Sequence, residues 1–347
     1  MYCPKCGTPN VDNAQVCVSC GYVLSTPAQA GMPVQVRTSG LAIAAFVLGI
    51  LSVFTLGLTA LPAIILGIIA LIVIGQNGGR LTGIGFAVVG MVLPVFAVVI
   101  TLAAILMPAL SKARDQARRA ACLSNMRQLS LAWIMYADEN GDKIVNGAAG
   151  SDRSIDGTAV EKAWTGKDWA DGYETGARLS EEEQESAIRS GLLWPLCNAV
   201  GMYRCPAGLA GQSRTYAIVD SMNGMPRTGT DGRGLYIKKR SEISSPSGRI
   251  VFVDQGWAAP ESFPVHYDKP QWWCEPPVTH RDATTGAFAD GHVESWRWKA
   301  PETLRIARRP GAASRGEHIA PATPEGKDDL QRFQIAVWGQ LGYASNP

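Results

Sequence analysis

The sequence predicts an α+β membrane protein. Its parts are an N-terminal cysteine module, three hydrophobic helices of which the last runs on as a long helix, and a C-terminal antiparallel β domain that this helix packs against. Three observations predict it. Two Cys-x2-Cys pairs lie within the first 22 residues. From Leu41 to Leu110 the only charged residue is Arg80. From 142 to 300 short apolar runs alternate with Gly, Pro and Asp, the pattern of an antiparallel sheet with long loops.

At 347 residues the chain exceeds what one core usually holds, so several modules are expected. The 32 basic and 30 acidic residues nearly cancel, which argues against a large nucleic-acid footprint. The first 22 residues carry Lys5 as their only basic side chain, too little for strong phosphate contact. Cysteines stand where a basic and then apolar leader would begin, so residues 1–40 are expected to stay in the cytoplasm.

Residues 1–22 form the first module. Cys3, Cys6, Cys17 and Cys20 can surround one tetrahedral zinc ion, and Gly7 and Gly21 directly after each pair permit the sharp turn of a knuckle. In a reducing compartment zinc is favoured over disulfides. Residues 23–40 read as a linker, with Thr26 to Ser39 rich in Pro, Gly, Ala and Gln.

Residues 41–80 are predicted to be a membrane hairpin. Leu41 to Ile74 is 34 residues without charge, long for one span and short for two full ones. Gly57 and Pro62 interrupt it, giving helices over about 41–57 and 61–75. Ala42, Ala45, Gly49 and Ser52 recur at helical spacing and would let helices approach closely, with Gly67 serving the second helix in the same way. Two further crossings or a re-entrant loop both fit the hairpin.

Residues 81–140 are predicted to be one helix that changes solvent partway. Its apolar part, Ile84 to Met107, is long enough to cross a bilayer. Beyond it Cys122, Met126, Leu129, Trp133 and Tyr136 form a stripe that another element must cover. Pro94 and Pro108 should bend the helix, and Asp138 to Gly141 should end it.

In residues 141–300 the clearest strands are Thr215 to Val219, Arg249 to Asp254, Gly286 to Ala289 and His292 to Trp298. Asp290-Gly291 is a tight-turn pair between the last two, with Phe288 and Val293 pointing inward. Trp164, Trp169, Trp194, Trp257, Trp272 and Trp273 lie outside those strands and are expected to pack loops down rather than bind a ligand. Residues 301–347 read as an extension, basic and Pro-rich and then helical over Asp328 to Leu341.

Asp254, His280, Asp290 and His292 supply nitrogen and oxygen donors for a divalent metal if the fold gathers them. The competing reading is structural: Asp290 serves the turn and His280 bonds to a loop. Gly-x-Ser-x-Gly, His-Glu-x-x-His, phosphate-binding glycine loops and further Cys-x-x-Cys pairs do not occur in the C-terminal half, so no enzyme is expected. A metal-dependent hydrolase using those four residues is the alternative, and a zinc-bearing membrane regulator is another. Cys122, Cys197, Cys205 and Cys274 are candidates for a disulfide if this half lies outside the cytoplasm, and their pairing stays open.

The junction Leu106 to Ala113, the run Cys122 to Leu129, and His280 followed by Asp290-Gly291 resemble the type II secretion pseudopilins, in particular prepilin-like proteins with a C-terminal His-x9-Asp-Gly motif. Cys205-Pro206 resembles a Cys-Pro step common in that family. The hairpin and the loop Gln76 to Arg80 are similar to a small bacterial membrane domain of unknown function that often follows zinc ribbons. The resemblance implies a pilin-like helix on a β-rich domain anchored in the bacterial inner membrane, with the zinc ribbon cytoplasmic and the C-terminal domain periplasmic or otherwise extracytoplasmic. It implies protein partners, among them other pilin-like subunits or secretion components, no small-molecule substrate, and calcium as a second candidate metal. The family's Gly-Phe cleavage step matches Gly85-Phe86, but its Glu at the fifth mature position is replaced by Gly90, and Leu81 to Leu110 holds no acidic residue. The expectation is therefore a permanently tethered protein.

Overall fold

The computed structural model describes residues 1–24, 37–55, 58–77, 80–155, 159–171, 176–227, 235–308 and 318–344, the side chains of 154, 155 and 159 excepted. Gly57, Gly78, Gly79 and most of the Thr26 to Ser39 linker lie outside the described residues. The chain forms two compact units, Met1–Ala109 and Leu110–Pro347.

In the first unit, strand β1 (Arg37–Thr38) leads into helix α1 (Gly40–Phe54), followed by α2 (Ala60–Gln76) and strand β2 (Leu81–Thr82), which pairs in parallel with β1. Helix α3 (Ile84–Glu139) starts here. The buried residues of α1 are Ala42, Ala45, Gly49 and Ser52, the four small residues read from the sequence. On α2 the buried face is Ala60, Ala63, Gly67, Ala70 and Ile74. Backbones meet closely: a Cβ on Gly49 would lie 2.7 Å from the Gly90 carbonyl oxygen, and one on Gly90 would lie 2.6 Å from that of Ala45. The large apolar side chains face outward, among them Val47, Phe54, Leu61, Ile65, Ile72, Phe96 and Ile100. At 15 and 17 residues α1 and α2 are short; among the described helices only α3 is long and apolar enough to cross a membrane.

Helix α3 continues unbroken through Pro94 and Pro108 to Glu139. It ends where the sequence predicted, with Gly141 and Asp142 at φ +64° and +72° and the Asp142 N–H donating to the Ala137 carbonyl. Cys122, Met126, Leu129 and Trp133 are fully buried, and Ala137 rather than the half-buried Tyr136 extends the stripe.

What covers the stripe is a four-stranded antiparallel sheet in the order β5-β6-β7-β8: Tyr216–Ile218, Ile250–Asp254, Ala283–Phe288 and Val293–Arg297. Strand β7 begins three residues earlier than the sequence suggested, because Thr284 and Thr285 are buried polar residues that the apolar pattern does not reveal. A hairpin, β3 (Arg153–Ile155) and β4 (Ala159–Glu161), and two short helices, α4 (Glu181–Arg189) and α5 (Trp194–Cys197), precede the sheet. Helix α4 was not anticipated, although Ser180 and Glu183 form a capping box at its start.

Helices α6 (Pro301–Ala307) and α7 (Pro324–Trp338) follow the sheet. They belong to the same core, which corrects the reading of 301–347 as an extension: Leu330, Phe333 and Val337 are buried there, and Phe333 meets Trp272, Trp296 and Trp298 at ring distances of 5.5–6.0 Å. Of the tryptophans outside the strands, Trp164 and Trp272 are buried and Trp169 and Trp194 pack against the core. Trp257 and Trp273 line a cleft of about 490 Å³ instead.

Candidate metal centres

The N-terminal module is two knuckles facing each other. In each, the glycine after the second cysteine takes φ near +70° and donates its N–H to the carbonyl of the first cysteine, Gly7 to Cys3 and Gly21 to Cys17. Sγ of Cys3 lies 3.7 Å from that of Cys20, and Sγ of Cys6 lies 3.6 Å from that of Cys17. A tetrahedron with zinc–sulfur bonds of about 2.3 Å has edges of about 3.8 Å, so both contacts match such an edge, and all four sulfurs lie within 4.8 Å of one another. The side chain and backbone of Thr8 bond to the Cys6 sulfur and lower its pKa, favouring the thiolate that binds metal.

A second convergence lies in the C-terminal unit. Cys122 comes from α3, Cys205 from the turn before β5, Asp254 from the end of β6 and His280 from just before β7, and one ligand atom of each lies within 4.8 Å of the others. Cys122, Cys205 and Asp254 are fully buried and His280 is 9% exposed. Cys205 Sγ is 3.3 Å and Asp254 Oδ2 3.9 Å from His280 Nε2, while Cys122 Sγ is 3.4 Å from Asp254 Oδ2. Burial raises the Asp254 carboxyl and lowers the His280 imidazole from their ordinary values. The contact with Cys122, and then burial, raises Cys205. The arrangement is not a nucleophile–base–orienter relay, which needs sulfur and carboxylate on opposite ring nitrogens. Here both face Nε2. The cleft at Trp257 and Trp273 has none of the four residues in its lining.

Comparison with known proteins bears on the first centre. The zinc-ribbon domain family matches residues 2–24. Residues 2–24 are a zinc ribbon. Its four cysteines are positioned to bind one metal ion, consistent with zinc. No curated protein and no solved structure gives a significant match to the chain.

Beyond the ribbon, the set Asp254, His280, Asp290 and His292 is divided by the structure. Asp254 and His280 meet, but Asp290 and His292 sit on the exposed β7–β8 turn and bond to each other at 2.6 Å, with the His292 ring stacked on Phe288. The reason lies in the motif. His280 precedes β7 and Asp290 follows it, so the six residues of that strand stand between them, roughly 20 Å at 3.3 Å per residue. The turn itself forms as read, with Gly291 at φ +90° and its N–H donating to the Phe288 carbonyl. The other two members of the cluster are Cys122, which the sequence places on the apolar stripe, and Cys205, which it places in a Cys-Pro step; both are disulfide candidates by sequence. Among the described residues all eight cysteines, Cys197 and Cys274 included, are free. The Ala207 N–H, two residues on, donates to the Cys205 sulfur at 3.4 Å, a contact that the sequence pattern does not mark.

Proposed function

We propose that this chain is a membrane-anchored, non-enzymatic, pseudopilin-like protein that acts in type II secretion or envelope assembly through protein contacts. In this reading the zinc ribbon lies in the cytoplasm of a bacterium and the unit after Ala109 lies outside the inner membrane. The observation that carries the anchoring is the inverted burial of α1, α2 and the start of α3. Small residues are buried between the helices while Val47, Ile65, Phe96 and Ile100 face outward. In water that face would be costly, whereas lipid offers helices no hydrophobic reason to hide large side chains and rewards close backbone packing. The pilin-like part rests on one continuous helix whose second half enters a core beneath an antiparallel sheet, together with the resemblance carried by His280 and Asp290-Gly291. Leu81 to Leu110 holds no acidic residue to stand in for the family's glutamate, so the role is a tethered partner-binding one rather than filament assembly.

Orientation follows from parity. Whether the α1–α2 hairpin crosses twice or re-enters, α3 adds one crossing and the C-terminus ends opposite the ribbon. Fusions at the C-terminus to alkaline phosphatase and to a cytoplasm-only fluorescent protein test this. Phosphatase activity with a dark fluorescent fusion is expected. A bright fluorescent fusion and inactive phosphatase would place both units in the cytoplasm and replace the secretion reading with a zinc-ribbon regulator.

A further inference from the structure

We propose that Cys122, Cys205, Asp254 and His280 bind a second zinc ion, a structural one that staples α3 to the sheet. One ligand atom of each residue lies within 4.8 Å of the others, and three edges of the cluster can be set against a tetrahedron around zinc. With bonds of about 2.3 Å to sulfur and about 2.0 Å to nitrogen or oxygen, the edges should be about 3.3 to 3.8 Å. Cys205 Sγ to His280 Nε2 at 3.3 Å and Cys122 Sγ to Asp254 Oδ2 at 3.4 Å match such edges, whereas His280 Nε2 to Asp254 Oδ2 at 3.9 Å is longer than the edge of about 3.3 Å between two lighter ligands, so binding would draw imidazole and carboxylate together. Two sulfurs, one imidazole nitrogen and one carboxylate oxygen form a donor set suited to zinc; calcium and magnesium, which take oxygen, are poorly matched to it.

The groups around the four ligands are aimed at anions. The Ala207 N–H donates to Cys205 Sγ at 3.4 Å, the Tyr216 hydroxyl to Cys122 Sγ at 3.3 Å, and the Gly256 N–H to Asp254 Oδ1 at 3.1 Å. The Thr285 hydroxyl lies 3.3 Å from Cys122 Sγ and can donate to it once the thiol proton has left. Backbone contacts of the same kind reach the ribbon sulfurs, from Thr8 to Cys6 and from Ser19 to Cys17. On binding, the two thiol protons, together with the Asp254 proton where the buried carboxyl carries one, go to solvent, and two thiolates and a carboxylate face the dication, leaving one net negative charge for these donors to stabilise.

Four protein ligands fill the tetrahedron, so no position is left for water or substrate, and the site is structural rather than hydrolytic. It joins a helix, a turn, the end of a strand and the loop before another, all distant in sequence, and so closes long loops of the core at one point. The inference rests on Cys122 and Cys205 remaining thiols, as they are here, and not on the proposed secretion role. A failed topology test would leave the zinc count unchanged.

The test is metal content of the full chain, purified in detergent under reducing conditions, incubated with zinc and freed of loosely held metal. Two zinc ions per chain are expected, and one after Cys3→Ser with Cys6→Ser. In that ribbon variant, cobalt(II) in place of zinc should give an intense near-ultraviolet sulfur-to-metal band. Asp254→Asn or His280→Asn should weaken cobalt affinity at least tenfold. One zinc in the wild-type chain and none in the ribbon variant would overturn the proposal without any cluster variant having to fold. So would a Cys122–Cys205 disulfide in the chain as isolated without reductant, read as a mass lower by two hydrogens.

Discussion

Asp168 and Arg214 form an ion pair with no solvent exposure at either side chain, closed by bonds of 2.6 and 2.8 Å. The guanidinium also donates to the carbonyls of Tyr216 and Ala259 and lies 5.7 Å from the Trp164 ring. Removing one partner leaves a buried charge without its counterion, so Asp168→Ala is expected to cost about 3–5 kcal/mol in denaturant unfolding. A loss below 1 kcal/mol would show that the pair contributes little. His266 is the second such residue: burial first, then the charges of His318 and Lys269, lower its pKa from 6.5 to about 4, with Asp268 opposing. Its Nε2 is 3.1 Å from His318 Nδ1, and Trp273 lies against its ring. A depressed imidazole pKa means that the fold favours the neutral form. The contribution is complete above pH 6.5 and is lost as pH falls through 4, up to about 3 kcal/mol. His266→Gln should flatten the stability profile over that window, and an unchanged acid slope would rule out His266 as its source. Neither residue stands out in the sequence, where a charged side chain looks the same whether it ends in solvent or in a core.

At the scale of elements, the same glycine that departs from the pilin pattern has a packing role. Gly90 touches the α1 backbone at Ala45, whereas a Cβ on Gly85 would meet nothing within 4 Å. Gly90→Val is expected to destabilise the first unit by about 1–3 kcal/mol, read by thermal unfolding in detergent, while Gly85→Val serves as the neutral control. Equal effects would mean that helix propensity rather than the α1–α3 contact is at work. Small-residue spacing made this face legible, since a helix repeats its surface every three to four residues whatever it packs against. The stripe from Cys122 to Trp133 was legible for the same reason, whereas the strand Ile250–Asp254 was legible as a short apolar run buried at every position and Val293–Arg297 by its place after the Asp290-Gly291 turn. The start of α7 was missed by four residues despite the cap at Thr323, whose hydroxyl accepts from the Gly326 N–H, and Pro324 at its first position. Helix α4 was hidden because its face is mostly polar, with only Gln184 and Ile188 buried.

For the molecule as a whole, the sequence alone determined whatever depends on local spacing. The zinc ribbon follows from two Cys-x2-Cys pairs with their glycines, the helical hairpin from small residues and missing charge, and the long helix from an apolar run that turns amphipathic. Each is a short-range geometric condition, satisfied or not within a few turns of chain. Tertiary structure alone decided how distant segments meet. It drew α7 into the core beside Trp272 and Trp298, set Asp168 against Arg214, and split the His280 and Asp290 of one motif to opposite ends of β7. It also brought Cys122 and Cys205 to Asp254 and His280, residues spread over more than half of the C-terminal unit. Nothing local marks them as neighbours, because their meeting depends on the register of β6 on β7 and on the face that α3 turns to the sheet, both set by burial of the whole core.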